Sequence, residues 1–434
     1  VRMHRGHRRH RVVAAVAAAL ALSLALAGCG IPEQVTVDAP PQVDRALPEE
    51  TVQQLQEAVT HAMAAAGASG AIVGVWAPWS GSWVAGHGTQ SPTDDTEVSA
   101  DMRFRAARMT RPMVCDVLFD IADAGTVSLD DSVSDYVPGV PDLDDVTLGQ
   151  LCDGTSGIGS YSGMLQPLWL SNPSRVWDPR ELASYGLGQP RRFEPGTGYA
   201  DSDAGFLLLG LALERATNSS LSTLLAEHVT SPLGLDATSL PAGSTTSVAA
   251  DAPVLRGNHS LPGEGGALNC TEPLDITELS PSVGYADSGV VSDIYDLGKY
   301  MQALATGALD PEGLDRFDNP LPVYAGAPTW YTADGGAVLA GSLVGQFGSV
   351  PGYAVSAWSD PNSGLTVAVV LNNSATGGNV AAYLAWELAA IASKAPPASG
   401  ETLPEAGLPW TAQQDREVIA KLAVCPIPEA EPQQ

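Results

Sequence analysis

Two hairpin patterns stand at opposite ends of the chain. Near its start, Ala71-Ile72-Val73-Gly74-Val75-Trp76 precedes Pro78-Trp79-Ser80-Gly81-Ser82-Trp83 and Val84. Near its end, Tyr353–Trp358 leads through Asp360-Pro361-Asn362-Ser363-Gly364 into Leu365–Leu371. β-Branched and aromatic runs on either side of a glycine-containing turn read as paired strands. Most of what lies between reads as helix. A helical spacing of Val52, Leu55, Val59, Met63 and Ala66 runs from Pro48 to Gly67, and another helix is predicted from about Gly378 to Ser393. Strands at both ends with helices inserted imply one α+β body whose sheet is assembled from distant segments. At 434 residues the chain suits one large composite fold or two domains.

The first 28 residues have a different character. Five arginines and no acids lie there, followed by the uncharged run Val12–Ala27. This is a basic region followed by an apolar one, too short for a comfortable membrane span. It ends in Leu26-Ala27-Gly28-Cys29, which resembles a bacterial lipobox and implies lipidation of Cys29 as the mature N-terminus. A plain secretory peptide with an incidental cysteine is the other reading. The lipobox implies attachment to the extracytoplasmic face of the cell membrane. Residues 30 to 49 mix proline with acids and lack periodicity, so they read as a tether. The expected layout is a signal at 1–28, an anchored tether at 29–49, a folded body at 50–395 and a tail at 396–434.

Beyond residue 28, 16 basic residues face 49 acidic ones, a net charge of −33. So acidic a surface repels phosphate backbones and argues against nucleic-acid binding. With 44% hydrophobic and 16% charged residues, the chain can nonetheless build a core. Cys115, Cys152, Cys270 and Cys425 make two disulfides plausible outside the cytoplasm, with three possible pairings. Neither their spacings nor the histidines fit a metal motif, and no cofactor is expected.

Several ordered strings carry a family likeness. They are Gly125-Thr126-Val127-Ser128-Leu129-Asp130-Asp131-Ser132 through Pro138, Val146-Thr147-Leu148 through Thr155-Ser156-Gly157-Ile158, Pro195-Gly196-Thr197-Gly198-Tyr199, Leu207–Gly210 and Ser231–Leu235. From about residue 68 to 393 the chain resembles the serine β-lactamase and penicillin-binding-protein superfamily, in the branch of class C β-lactamases, D-alanyl-D-alanine peptidases and related esterases. The resemblance implies that fold. It also implies a Ser-x-x-Lys nucleophile and base, a Tyr-x-Asn pair and a His/Lys-x-Gly strand.

None of those side chains is present. Aligned on Phe104–Arg111, the nucleophile position holds Arg108 and the lysine position Arg111. A guanidinium is neither nucleophile nor general base. The three lysines, Lys299, Lys394 and Lys421, follow Asp296, Ile391 and Val418 at three residues, so Ser-x-x-Lys is absent from the whole chain. Asp201 and Asp203 stand at the Tyr and Asn positions; a two-residue shift would instead place Tyr199 there. The third motif reads Gln346-Phe347-Gly348-Ser349.

Arg108, Arg111, Asp201 and Asp203 are expected to form an ion cluster in the former catalytic cleft, with unconnected drift as the alternative. Thr110 and Ser202 lack an adjacent base, and Trp76, Trp79 and Trp83 read as packing residues. His61 and His87 fall on no family motif. Tyr161, Met164 and Trp169 either touch a ligand or cover the core. The family frame also implies the pairs Cys115–Cys152 and Cys270–Cys425. The function expected is a catalytically inactive lipoprotein that binds a cell-wall fragment or an envelope protein; the alternative is a hydrolase with a divergent constellation.

Overall fold

The computed structural model describes residues 34–263, 265–405 and 407–428. The expected signal and Cys29 lie outside them. Nine strands form one antiparallel sheet: β1 Gly70–Ala77, β2 Gly81–Ser91, β3 Asp94–Glu97, β4 Leu321–Pro322, β5 Tyr331–Asp334, β6 Ala337–Ala340, β7 Leu343–Val350, β8 Tyr353–Ser359 and β9 Thr366–Leu371. Their order is β3-β2-β1-β9-β8-β7-β6-β5-β4. The two end hairpins therefore meet at the β1–β9 seam, where Val73 faces Val369 and Val75 faces Val367.

Strand alternation sorts the core into two layers. Val73, Val75, Val367, Val369, Leu371 and Trp358 pack toward α1 (Glu49–Ala66) and a second helix near the chain end. Ile72, Val355, Ala357, Ala368 and Val370 face the larger helical layer. That layer contains α2 (Thr110–Asp123), α3 (Asp203–Thr217) and α4 (Ile294–Thr306), and the chain-end helix is α5 (Asn379–Ala392). Trp76 lies between β1 and α4 in a slot made by missing side chains. A Cβ on Gly74 would sit 2.2 Å from its ring and one on Gly298 2.7 Å away.

Helix α2 is buried on every side from Thr110 to Phe119. Charged residues on such a helix need internal partners. Asp116 accepts from the Tyr300 hydroxyl at 2.6 Å and pairs with Arg316, whose Nε donates to the Gly335 carbonyl at 2.8 Å. Arg111 takes its partners from the site described below. The disulfides Cys115–Cys152 and Cys270–Cys425 match the family-implied pairs.

Two stretches depart from expectation. Residues 34–47 are not a free tether: Val35 N donates to Pro232 O, Val43 N to Pro78 O and Leu47 N to Ser82 O, so this stretch lies along the body. Its unpatterned sequence hid backbone pairing that requires no side-chain periodicity. The region read as a tail contains α6 (Ala412–Lys421), opened by a Thr411/Gln414 capping box. It packs on α1 and α5 with Ile419 buried.

Between α5 and α6 lie two carboxyl groups, Glu387 and Asp415, 1% and 3% exposed. Arg416 Nε donates to Glu387 Oε1 at 2.9 Å, while Glu387 Oε2 and Asp415 Oδ2 have no protein partner. Burial, then the neighbouring Glu387, pushes the Asp415 carboxyl up to about 8. A carboxyl raised in the folded state penalises ionisation. Its contribution to stability is therefore full below the unfolded value of about 4 and is lost as pH rises toward 8. Asp415→Asn is expected to gain about 1–3 kcal/mol over wild type at pH 8 and to lose that advantage near pH 4. Urea midpoints at the two pH values test this; an unchanged difference between them contradicts it.

Candidate functional site

The site forms where the N-terminus of α2 meets β7 and the loop before α3. A 3₁₀ turn, Ala107–Met109, precedes α2, and Ala107 has φ +50°, a left-handed conformation that a residue with a Cβ occupies only at a cost. The turn presents Arg108 toward β7. The Arg108 stem fits because Gly348 has no side chain: a Cβ there would lie 2.5 Å from Arg108 Cδ. Gly378, before α5, backs the same strand, and its Cβ would come within 2.6 Å of Gly348 Cα.

Asp201 joins the two arginines. Its Oδ2 is 2.6 Å from Arg108 Nη1 and its Oδ1 is 2.6 Å from Arg111 Nη1. Arg111 is 3% exposed and reaches a second carboxylate, Asp287, through Nε at 2.8 Å. Its guanidinium also lies over Phe206, 4.9 Å from the ring centroid. Burial alone would raise the Asp201 carboxyl, but the charges of Arg108 and Arg111 outweigh it and hold the group well below the usual carboxylate range.

Asp203 corrects the expected foursome. It begins α3 and points away from the arginines. Its Oδ1 accepts from Tyr161 N at 2.7 Å and Ala204 N at 2.8 Å, and its Oδ2 accepts from Ser162 N at 2.9 Å. It thus ties down the loop that opens the helix Ser162–Ser171. Asp287, on the short helix Tyr285–Ser288, takes its place. No motif marks Asp287; the one available signal was that a buried Arg111 needs more carboxylate than Asp201 supplies.

The other motif positions are occupied by structural contacts. Gln346 donates from Nε2 to Gly336 O at 3.0 Å, and its Oε1 accepts from Phe347 N at 2.9 Å, so its amide is consumed within the sheet. Ser349 pairs in the β7–β8 ladder opposite Ala354. Thr110 Oγ1 donates to Ala107 O and accepts from Val290 N; Ser202 caps α3 through Gly205 N. Tyr161 and Trp169 are buried edge-to-face at 6.0 Å, whereas Met164 is exposed. Trp83 lies tilted against His87, 5.3 Å between centroids.

The ion cluster does not fill the cleft. A cavity of about 350 Å³ remains beside it, lined by the polar Arg108, Asp201 and Asn379 and by the aromatic Tyr199, Tyr331, Phe347, Tyr383 and Trp386. Val418 of α6 and Leu422 beyond it complete the wall. Burial, then the Asp201 charge, pushes the Tyr199 phenol up to about 12, so it keeps its proton at neutral pH. Trp386 sits among Trp330, Tyr331, Trp358, Tyr383 and Trp410, with centroids 5.1–6.2 Å apart, and its buried indole N–H has no acceptor. Sequence reading missed this aromatic wall because its members come from four separated segments. Among the described residues, no group of three or more His, Cys, Asp or Glu is placed to hold a metal.

Comparison with known proteins gives the same architecture. The family model described as Beta-lactamase matches residues 55–390. The D-alanyl-D-alanine-carboxypeptidase/endopeptidase AmpH of Escherichia coli is 30% identical over 160 residues, 34% of this chain and 40% of that protein. A D-aminopeptidase of Cereibacter sphaeroides is 24% identical over 311 residues, 69% of this chain and 55% of the relative. The chain thus spans about half or less of these relatives' lengths. A solved D-stereospecific amidohydrolase from Streptomyces sp. superposes with a TM-score of 0.63 at 24% identity, covering 73% of this chain and 94% of that one. At that identity the likeness is one of fold.

Asp201→Asn leaves Arg108 and half of Arg111 without a counter-charge. It is expected to cost about 1–3 kcal/mol at pH 7, less than for a wholly buried pair because the Asp201 side chain is 39% exposed. A depressed carboxyl contributes stability above the unfolded pKa of about 4, and that contribution disappears as pH falls through the lower folded value. The variant and the wild type should therefore begin to draw together below about pH 4 and meet only as pH falls through the lower folded value. Thermal unfolding across this range checks the sign.

Proposed function

We propose, for a chain that belongs to the beta-lactamase family, that the former catalytic cleft is a non-catalytic binding site for a cell-wall fragment. The observation that carries this reading is the composition of the cleft wall. Its sixteen residues include no Ser, Thr, Cys, Lys or His, and its only hydroxyls are phenols. Acyl transfer needs an activated nucleophile beside a base, and among the described residues no Ser, Cys or Lys that could form such a pair lines the cleft. Divergent hydrolysis with Asp201 as base is disfavoured by the same arginines that keep it ionised, because so weak a base gains little from a proton.

Binding chemistry is still present. Arg108 uses Nη1 for Asp201, and no other partner engages it among the described residues. The free edge of its guanidinium faces a cleft walled by Tyr324, Tyr331, Tyr383 and Trp386. An occupant with a carboxylate at one end and an apolar stretch behind it satisfies both surfaces. Relatives named for D-alanyl-D-alanine and D-amino-acid substrates make a cell-wall peptide the natural candidate. The lipobox-like Leu26–Cys29 would hold the body at the extracytoplasmic membrane face, near such material.

The direct test incubates the purified body with a fluorescent penicillin and a chromogenic ester, followed by intact-mass measurement, with calorimetric titration of muropeptides alongside. No acyl adduct, no turnover and saturable muropeptide binding are expected, with Tyr383→Ala weakening binding about tenfold. A stoichiometric adduct, or no binding at all, overturns the reading. For the anchor, Cys29→Ala is expected to move the protein from the membrane fraction to the soluble one and to abolish labelling by radioactive palmitate. Retention of both in the variant would exclude lipidation at that residue.

A further inference from the structure

Residues 34–47 fix the point at which the chain enters the folded body. Leu47 N donates to Ser82 O and Val43 N to Pro78 O, both beside the β1–β2 turn. Gly81 makes room for the crossing, since a Cβ there would lie 2.5 Å from Arg45 O. Pro40 then lies against the β8–β9 turn, where a Cβ on Gly364 would meet its ring at 3.0 Å. Val37 and Val35 pack on the core, and Val35 N donates to Pro232 O at 2.9 Å. Gln34 is thereby delivered to the short turn Ser231–Leu233 and to α4: a Cβ on Gly234 would sit 3.5 Å from Gln34 Nε2 and 3.5 Å from Lys299 Nζ. Gln34 comes five residues after Cys29. Five residues span at most about 18 Å when fully extended, whereas a body of this length is roughly 50 Å across. A lipid on Cys29 would therefore keep the Gln34 side toward the bilayer and the opposite side out of its reach.

That side presents the outer face of α4. Ile294, Leu297, Tyr300 and Met301 bury the inner face, while Tyr295 and Lys299, one turn apart, are exposed, Tyr295 by 51%. The acids at the start of the helix are turned to other partners. Asp293 pairs with Arg103 at 3.1 Å, and Asp296 Oδ2 accepts from Ala237 N at 2.7 Å and Thr238 Oγ1 at 2.9 Å. Asp236, two residues after Gly234, stays exposed, so any attraction for an anion is local to Lys299. Lys299 is one of three lysines in a chain whose residues beyond 28 carry a net charge of −33. The other two, Lys394 after α5 and Lys421 at the end of α6, belong to the layer on the opposite face of the sheet. A tyrosine and a lysine side by side suit a lipid–water interface, with the ring at headgroup level and the ammonium at phosphate.

We propose that this face, Tyr295 and Lys299 of α4 with the Ser231–Gly234 turn, rests on an anionic phospholipid surface. The proposal depends on the reading of Cys29 as lipidated and adds which side of the body meets the membrane. One lysine and one tyrosine bind a bilayer weakly by themselves. The acyl chain supplies residence at the surface, and the short link to Gln34 makes the second contact an intramolecular one of high effective concentration. What the face provides is orientation. Elsewhere an excess of carboxylates is repelled by anionic headgroups, so the same charge that disfavours other contacts favours this one. α5 and α6, across the sheet, are then turned away from the lipid.

The test reconstitutes the full-length lipoprotein in vesicles of phosphatidylglycerol and phosphatidylethanolamine, with Cys29→Ala in solution as the reference. Exposed amines are acetylated with a succinimidyl ester, and peptide mass spectrometry reads the rate at each of the three lysines. Lys299 should react about fivefold more slowly on vesicles than in solution, the weight of one lysine held at an anionic surface. Lys394 and Lys421, across the sheet, should keep their rates and serve as internal controls. Unchanged Lys299 reactivity in protein that floats with the vesicles, or equal slowing at all three lysines, overturns the proposal while leaving the anchor in place. Failure of the wild-type chain to float with the vesicles strikes the anchor reading itself, and this face with it.

Discussion

Arg111 is the residue around which the site is organised. A guanidinium cannot shed its charge at any accessible pH, and this one is 3% exposed on a helix buried from all sides. The fold must therefore bring carboxylates to it. Asp201 arrives from the loop before α3 and Asp287 from the short helix Tyr285–Ser288. Two segments far apart in the chain are thereby fixed relative to α2. The partner that remains more exposed, Asp201, is shared with Arg108 and sets the floor of the cleft. Such an assembly is not evidence of great net stability, since desolvation consumes much of the Coulombic gain. It does specify which loop sits where.

The cleft owes its other wall to the far end of the chain. α6 packs on α5 and α1, and Val418 and Leu422 join the lining of the cavity. Cys270–Cys425 ties this segment to the loop that precedes β4 by a long interval of chain, the kind of closure that restrains the unfolded ensemble most. Trp330, Trp386 and Trp410 meet here, each from a different segment. An occupant of the cleft would thus touch both the arginine–carboxylate cluster and an aromatic surface.

Much of the architecture was legible beforehand. The β-branched and aromatic runs of 71–76 and 365–371 and the helical spacing of 52–66 placed β1, β9 and α1 nearly to the residue, because such runs bounded by turn residues read as strands and the helical period reports which face is buried. The cleft positions of Arg108, Arg111 and Asp201 followed from ordered motifs. Asp203 did not follow. A balance of two arginines against two carboxylates favoured including it in the cluster with Asp201. Helix α3 begins at Asp203, however, and the change of backbone period turns its side chain to the amides of Tyr161 and Ser162.

The sequence by itself determined the family of fold, the absence of a Ser-x-x-Lys string from its residues and the presence of two charged candidates on one helical turn, because these depend on residue type and local spacing. Only the tertiary structure decided who pairs with whom. Asp287 in place of Asp203, α6 as a wall of the cleft and the run of residues 34–47 along the body all depend on contacts between segments distant in the chain. Local propensity has no access to such contacts, because desolvation and charge pairing act on distance in space.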